Sequence, residues 1–357
     1  MARRAYRFAP AVDSAGVAGR ISIVVVHYRG AEDLSACVAS VWDQDADVEL
    51  VIVDNGSPDG AVAGLAADPR LVRQWLPRNL GFAAGANAGI ARATGDVVVL
   101  LNPDATLRPG CLAALAGALG DAHVAVPRVL LADDPDRLDS CGHALYPDGL
   151  NWCRGRGELA TGRYEEPEDV LLFSGAAVAF RRESLALLGG LDEGFWAYGE
   201  DADLSLRAAR LGLRCRTVPE AVVVHRVGGS FGRYGLRKAF LVERNRIRVA
   251  LVHLPVPWLL VAPLWTAARV VGLGALGGAG RGVAGGYPPG QRAMLGPTLL
   301  AAWGAGVLAA PGSIARRMSL TSVQGYAGAL RGARIGLRTL LRRPAPEPPR
   351  RTPSQTR

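Results

Sequence analysis

The stretch ISIVVVHYRGAEDLSACVASVWDQDADVELVIVDN, residues 21–55, decides the fold. Ile21 to Val26 is an unbroken apolar run rich in β-branched residues, the pattern of a strand buried on both faces. Leu34 to Trp42 is helix-compatible, and residues 49–53 return to an apolar run. Ala-rich Leu80 to Ala93 then precedes a third run at 97–101. Strand, helix, strand, helix, strand in this order predicts an α/β domain with a largely parallel sheet. Such sheets bind ligands beyond the carboxyl ends of their strands. Those ends carry His27-Tyr28, Asp54-Asn55 and Asn102-Pro103-Asp104.

Outward from this unit, residues 1–20 are expected as a flexible arm and 133–168 as loops and short strands lining one side of a site. Val170 to Phe180 regains strand character around Ser174-Gly175, and Ala221 to Val224 forms a strand ending at His225. The first domain is therefore placed at 21–235. Leu204, Ala208 and Leu211 recur at helical spacing before Gly212, so Glu200 and Asp201 fall at a helix N-terminus. An acidic residue there caps free amides and complements the helix dipole. The crowding of Glu200, Asp201 and Asp203 behind Trp196 and Tyr198 also suits catalysis.

Charge is uneven. From Arg281 onward the chain has twelve arginines and one acid, a balance of +11, whereas the first 280 residues balance to −2. No zinc spacing, helix-turn-helix pattern or RNA-binding signature accompanies the basic end, so nucleic acid is not the expected partner. The five cysteines are scattered and lack CxxC pairs, which fits a reducing cytoplasm, and Arg3, Arg4 and Arg7 precede no long apolar stretch of the secretory kind. Leu254 to Ala268 and Ala293 to Ala315 carry no charge but are interrupted by proline and glycine. A buried helical pair, a re-entrant hairpin and a membrane span each fit these segments. Arg331, Arg334, Arg338 and Arg342 share one helical face, which suits an anionic membrane surface. Residues 236–343 are thus expected to associate with a membrane, and Pro-rich 344–357 to be a disordered tail.

Several strand-end groups carry recognisable chemistry. A carboxylate at Asp54 can accept the N3–H of uracil or thymine, and it also suits a turn. Gly81, Gly85 and Gly89 recur every fourth residue and permit close helix packing, which leaves Asn79 and Asn87 unexplained. Asp104, projected from a buried strand, can hold Mg²⁺ or Mn²⁺, with His225 as a second ligand or a phosphate donor.

VVHYRGAEDLSACVASV, VIVDNGSPDG, RNLGFAAGANAGI, LLNPDATLRPG, FSGAAVAFRRE, GGLDEGFWAYGEDADLSLRAARLG and VVVHRVGGS follow one another through the chain. In these motifs and this order the chain resembles family 2 glycosyltransferases of the GT-A fold, most closely the bacterial rhamnosyltransferase-like branch. The resemblance covers residues 21–235. It implies a Rossmann-like mixed sheet and an inverting transfer from a nucleotide diphosphate sugar. It further implies a nucleotide pocket formed by His27, Tyr28, Asp54, Asn55, Asn79, Gly81, Phe82, Asn87, Asn102 and Asp104. Asp201 matches the catalytic base with Glu200 as its partner; Ser174, Gly175, Trp196 and Tyr198 fall on the sugar and acceptor side; and Asp104 and His225 match the metal and diphosphate contacts. Many relatives have an Asp-X-Asp signature where this chain has Asn102-Pro103-Asp104. The implied donor is dTDP-rhamnose, with UDP-hexose or UDP-galactofuranose as alternatives, and the implied acceptor a lipid-linked envelope saccharide at the cytoplasmic membrane face. A membrane-anchored nucleotide-sugar-binding scaffold without turnover is the rival from another class.

Overall fold

The computed structural model describes residues 19–228, 234–278, 286–322 and 326–332. The expected arm up to residue 18, the arginine face from Arg334 on and the tail lie outside these residues. In chain order the first part runs β1 (Ile21–His27), α1 (Ala31–Trp42), β2 (Val48–Asn55), the single turn α2 (Ala61–Gly64), β3 (Leu71–Leu76), α3 (Phe82–Ile90), β4 (Val97–Leu101), β5 (Ala105–Leu107) and α4 (Cys111–Ala118). There follow β6 (Val124–Leu131), β7 (Asp134–Ser140), β8 (His143–Leu145), β9 (Asn151–Cys153), β10 (Ala177–Arg181), α5 (Arg182–Leu188), α6 (Glu200–Arg210) and β11 (Cys215–His225).

One mixed sheet has the order β3-β2-β1-β4-β10-β6-β11-β5, with β7 added on β6. The first four strands are mutually parallel, as the apolar runs of β1, β2 and β4 led one to expect, and β1 is buried along its whole length. Beyond β4 the pattern changes: β10 is antiparallel to both β4 and β6, and β5 is antiparallel to β11. The expectation of a parallel sheet therefore holds for the first four strands and again where β11 runs parallel to β6, with antiparallel pairings elsewhere. β11 starts at Cys215, six residues before the expected strand, and crosses an irregularity between Val218 and Val222.

Two apolar layers flank the sheet. Leu34, Cys37 and Val41 of α1 and Leu112 and Leu115 of α4 cover one face. On the other, α3 lies close against β1. A methyl group at Gly85 would stand 2.6 Å from Val26 Cγ1, and one at Gly89 2.4 Å from Val24 Cγ1, so the glycine spacing sets the distance between helix and sheet.

The C-terminal helices are α7 (Leu236–His253), α8 (Val256–Gly278), α9 (Pro289–Leu308), α10 (Ala310–Ser319) and α11 (Tyr326–Gly332). They continue the packing of the sheet domain without a break at 235. A third core joins Phe195, Ala202 and Leu206 to Val249, Leu254, Tyr326 and Leu330. Charged groups join them too. Asp203 of α6 accepts from Arg207 at 2.8 Å and pairs with His253 of α7 at 2.8 Å, all three side chains being buried.

The outward faces of α8, α9 and α10 are apolar. Val256, Leu260, Leu264 and Val271 of α8 are exposed, while its one charged residue, Arg269, is turned inward to Asp148 and Glu243. This inverts the usual amphipathic arrangement. Among the described residues no single helix is long and apolar enough to cross a membrane; α9 and α10 pass such a test only together, across a 50° bend.

Candidate active site

The site is built at the carboxyl ends of the strands. Sheet pairing places His27 beside Asp54, at the ends of β1 and β2. Asp54 is buried and its Oδ1 accepts the Ser57 amide at 2.7 Å, so the turn that follows β2 fixes one carboxylate oxygen. His27 is fully buried, and its Nε2 pairs with Asp59 at 3.1 Å. Asp59 was not foreseen in the sequence. Burial would raise its carboxyl, but Ser57, the Ala61 amide and His27 outweigh that and hold it near 2.

Asn55, Asn79 and Asn87 organise loops. Asn55 donates to the Gly81 carbonyl at 3.0 Å and accepts from the Leu80 amide at 2.9 Å, while Asn79 Oδ1 accepts from the Gly81 amide at 2.9 Å. Asn87 was expected to line the nucleotide pocket. Its amide instead donates to the Leu191 carbonyl and Glu193, and its carbonyl accepts from the Leu191 amide, committing it to the loop before α6. Phe82, the first residue of α3, is half-buried against the core. Tyr28 is half-buried beneath the Arg29 guanidinium.

Gly81 has φ +94°, and a methyl group there would meet the Trp196 carbonyl oxygen at 2.4 Å. Glycine thus allows the 79–81 loop to touch the turn holding the two aromatic residues. That turn is strained, because Trp196 and Tyr198 have φ of 65° and 66°, left-handed values that non-glycine residues rarely adopt. Asn245 of α7, fully buried, donates to the carbonyls of Phe195, Ala197 and Tyr198 and holds the strained turn from behind. Arg237 and Lys238, on the first turn of α7, lie over the Trp196 and Tyr198 rings at 4.5 and 5.3 Å. Lys238 is the single lysine of the chain.

Asp104 and His225 are separated by 121 residues but meet because β5 pairs with β11, opposing Ala105 to His225. His225 Nε2 stands 3.2 Å from Asp104 Oδ1, and Nδ1 2.7 Å from Asp139 Oδ2. Burial would lower this imidazole, yet hydrogen bonds and charge from Asp104 and Asp139 raise it to about 10. Arg156 pairs with the other oxygen of Asp139. Among the described residues no group of three or more His, Cys, Asp and Glu forms a metal cage. The donor set still fits a divalent cation shared with phosphate oxygens: one carboxylate, one imidazole, and a carboxylate behind the imidazole to orient it. The backbone of Asn102 bonds to Ala176 and Ala105, joining β4 to β10 beside this pair.

Asp201 and Glu200 are the second and first residues of α6. The expected acidic cap is not formed by either; Gly199, with φ 88°, occupies that position. Asp201 nevertheless occupies a free first-turn amide, since its Oδ1 accepts from Ala202 at 2.8 Å. Its Oδ2 accepts the Gly175 amide at 3.2 Å, so Gly175 supplies backbone to the carboxylate, and Ser174 Oγ accepts from Ala176 beside it. Glu200 is buried, with Oε2 lacking a hydrogen-bond partner. Burial first, and Asp201 second, push its carboxyl up to about 8, leaving it protonated at neutral pH. The Tyr198 hydroxyl is also raised, by burial and then by Glu200 and Asp104, so this ring lies between the carboxylate pair and the Asp104–His225 pair.

Sequence reasoning missed His143, Asn151, Asp139 and Asn245 as well. His143 and Asn151 sit on the β8–β9 hairpin, inside the segment read as loops and short strands lining the site. A signal existed in scarcity: the chain has five histidines and all five are buried.

The domain model described as glycosyl transferase family 2 matches residues 22–188. An N-acetylglucosaminyltransferase of Mesorhizobium japonicum is 29% identical over 247 residues, 65% of this chain and 57% of its own length. An N-acetylglucosaminyl-diphospho-decaprenol L-rhamnosyltransferase of Mycobacterium tuberculosis is 28% identical over 254 residues, 60% of this chain and 78% of its own length. A pre-mycofactocin glycosyltransferase of the same organism is 28% identical, with 45% of its length matched. The chain thus spans about half the length of two of these three relatives. The crystal structure of GalNAc-T7 with UDP, GalNAc and Mn²⁺ superposes with a TM-score of 0.54 at 19% identity over 65% of this chain and 48% of that one, a likeness of fold. With its mixed sheet the chain has a GT-A-like α/β fold, and its residues 22–188 match the glycosyl transferase family 2 domain.

Proposed function

We propose that the chain is an inverting glycosyltransferase that moves a sugar from a nucleoside diphosphate donor to a hydroxyl of a lipid-linked saccharide. The observation that carries this reading is the carboxylate pair at the start of α6. The Gly175 and Ala202 amides fix the Asp201 carboxylate, while burial holds Glu200 beside it neutral. Asp201 removes the acceptor proton as the oxygen attacks the anomeric carbon; the bond from that carbon to the diphosphate breaks, and its electron pair leaves with the phosphate oxygen. Trp196 and Tyr198 wall the sugar, and Asp54 receives the N3–H of a uracil or thymine base.

Asp104 and His225 would hold a divalent cation, which when bound offsets the charge growing on the leaving diphosphate. Among the relatives, the M. tuberculosis enzyme named for L-rhamnose transfer to a diphospho-decaprenol-linked sugar favours dTDP-rhamnose as donor. UDP-hexose and UDP-galactofuranose use the same base pocket. The inverted pattern of α8, with leucines outward and its arginine inward, supports contact with lipid. The basic residues after Arg281 suit the anionic cytoplasmic leaflet.

The deciding experiment combines the purified chain, a lipid extract and a panel of nucleotide sugars, with nucleoside diphosphate release as readout. Asp201→Asn is expected to bind donor normally and to lose about 10²- to 10⁴-fold in transfer. Undiminished turnover in that variant overturns the assignment of the base.

A further inference from the structure

The β8–β9 hairpin is a separate two-stranded unit whose register pairs His143 with Cys153 and Leu145 with Asn151. All of its polar side chains near the site converge on Asp201. His143 is buried, and its Nδ1 stands 3.7 Å from Asp201 Oδ2. Its Nε2 is held by the Cys153 thiol at 3.5 Å, and its backbone amide donates to the Leu172 carbonyl at 2.8 Å. Asn151 Nδ2 lies 3.5 Å from Asp201 Oδ1 and 3.1 Å from His143 Nδ1. The four groups around one carboxylate are thus the Gly175 and Ala202 amides, the Asn151 amide and the His143 ring.

We propose that His143 is a positioning residue for the Asp201 carboxylate, holding it correctly turned beside Glu200. This inference rests on the reading of Asp201 as the general base. A carboxylate placed next to a second, buried carboxyl takes up a proton too readily to stay a base, unless a positive charge stands nearby. The groups facing the His143 ring are Cys153 on β9, Asp201 on α6, Asp139 on β7 and the Asn151 amide. Burial opposes a charge on the ring, but the Cys153 sulfur, Asp201 and Asp139 outweigh it and raise the imidazole to about 9. The same contact with His143 draws the Cys153 thiol below its ordinary value. In the charged form His143 makes an ion pair with Asp201 Oδ2 at 3.7 Å, and Asn151 Nδ2 donates to Asp201 Oδ1 alone. His143 keeps its proton throughout the reaction; the acceptor proton goes to Asp201 alone.

The test has two arms on the full chain. The first follows the ring resonances of the five histidines against pH, with His143→Gln assigning the signal. In Asp201→Asn the His143 titration is expected to move down by about one pH unit, since an opposite charge has been removed. An unmoved titration overturns the inference without reference to any substrate. The second arm measures kcat/KM against pH. His143→Gln is expected to lower kcat about tenfold and to move the acid limb up by about one pH unit, because Asp201 then protonates more easily. A uniform loss with an unshifted acid limb marks a merely structural role and overturns the inference. If Asp201→Asn itself keeps full turnover, the reading of the base fails instead, which the first arm distinguishes.

Discussion

The nucleotide side of the site and its acceptor side are built in different ways. On the nucleotide side, His27, Asp54 and the Asn55 clamp end two adjacent parallel strands, with Asp54 held by its own turn, His27 by Asp59 and Asn55 by the 80–81 loop. On the acceptor side, Asp201 depends on a hairpin fifty residues earlier, and the Trp196–Tyr198 turn depends on Asn245 nearly fifty residues later. Strand ends tolerate change because the sheet holds them regardless of the side chain. The acceptor side relies on buried charges and a strained turn, each of which needs its distant partner.

Five substitutions measure that contrast. Asp203→Ala removes the carboxylate that Arg207, His253 and Arg316 share, leaving the buried Arg207 guanidinium without its counter-ion, and is expected to cost about 3–5 kcal/mol in denaturant unfolding. Burial opposes ionisation of Asp203, but His253, Arg207 and Arg316 hold its carboxyl well below the usual range. Its contribution is therefore complete above the ordinary carboxylate value of about 4 and lost as pH falls through the depressed folded value. Acid titration of the variant's stability should lack that slope; an unchanged slope would break the comparison.

Asn245→Ala unties three carbonyls of the strained turn and is expected to cost about 1–3 kcal/mol, with transfer lost before donor binding. Gly81→Ala probes the seam between the two sides. Its positive φ and the approach of the Trp196 carbonyl predict a loss of about 1–3 kcal/mol, read as a lower thermal midpoint. Asp54→Asn, on the nucleotide side, should leave stability nearly unchanged because Asn can take the same turn bond. The KM for a uridine or thymidine donor should rise about tenfold, equivalent to about 1.4 kcal/mol.

Glu200→Gln has the smallest expected effect on turnover at neutral pH, since it replaces a carboxyl already neutral there. Its signature lies in stability. Between the ordinary glutamate value and about 8 the folded wild type holds a proton that the unfolded chain has released, so stability declines as pH rises through that window. Thermal melts of the variant over the same window should not show the decline.

Legibility in the sequence followed the same division. The apolar runs of β1, β2 and β4 could be read directly because strands buried on both faces leave no other pattern. β3 was missed because its six residues are all partly or fully exposed and carry Arg73 and Gln74. The glycines of α3 indicated close packing, but Asn87 suggested a pocket when it serves a loop. His143 and Asn151 lay in a Pro- and Gly-rich segment whose hairpin has three residues per strand, too short to show periodicity.

By itself the sequence determined the parallel half of the sheet, the strand-end positions of Asp54, Asp104 and His225, and the placement of Glu200 and Asp201 at a helix start. Those features follow from local patterns of burial and turn chemistry. The tertiary structure alone decided that Asp104 meets His225, that His143 faces Asp201, and that α7 secures the aromatic turn. Such contacts join residues about fifty or more positions apart, and only the pairing of strands and the packing of helices bring their side chains within hydrogen-bonding reach.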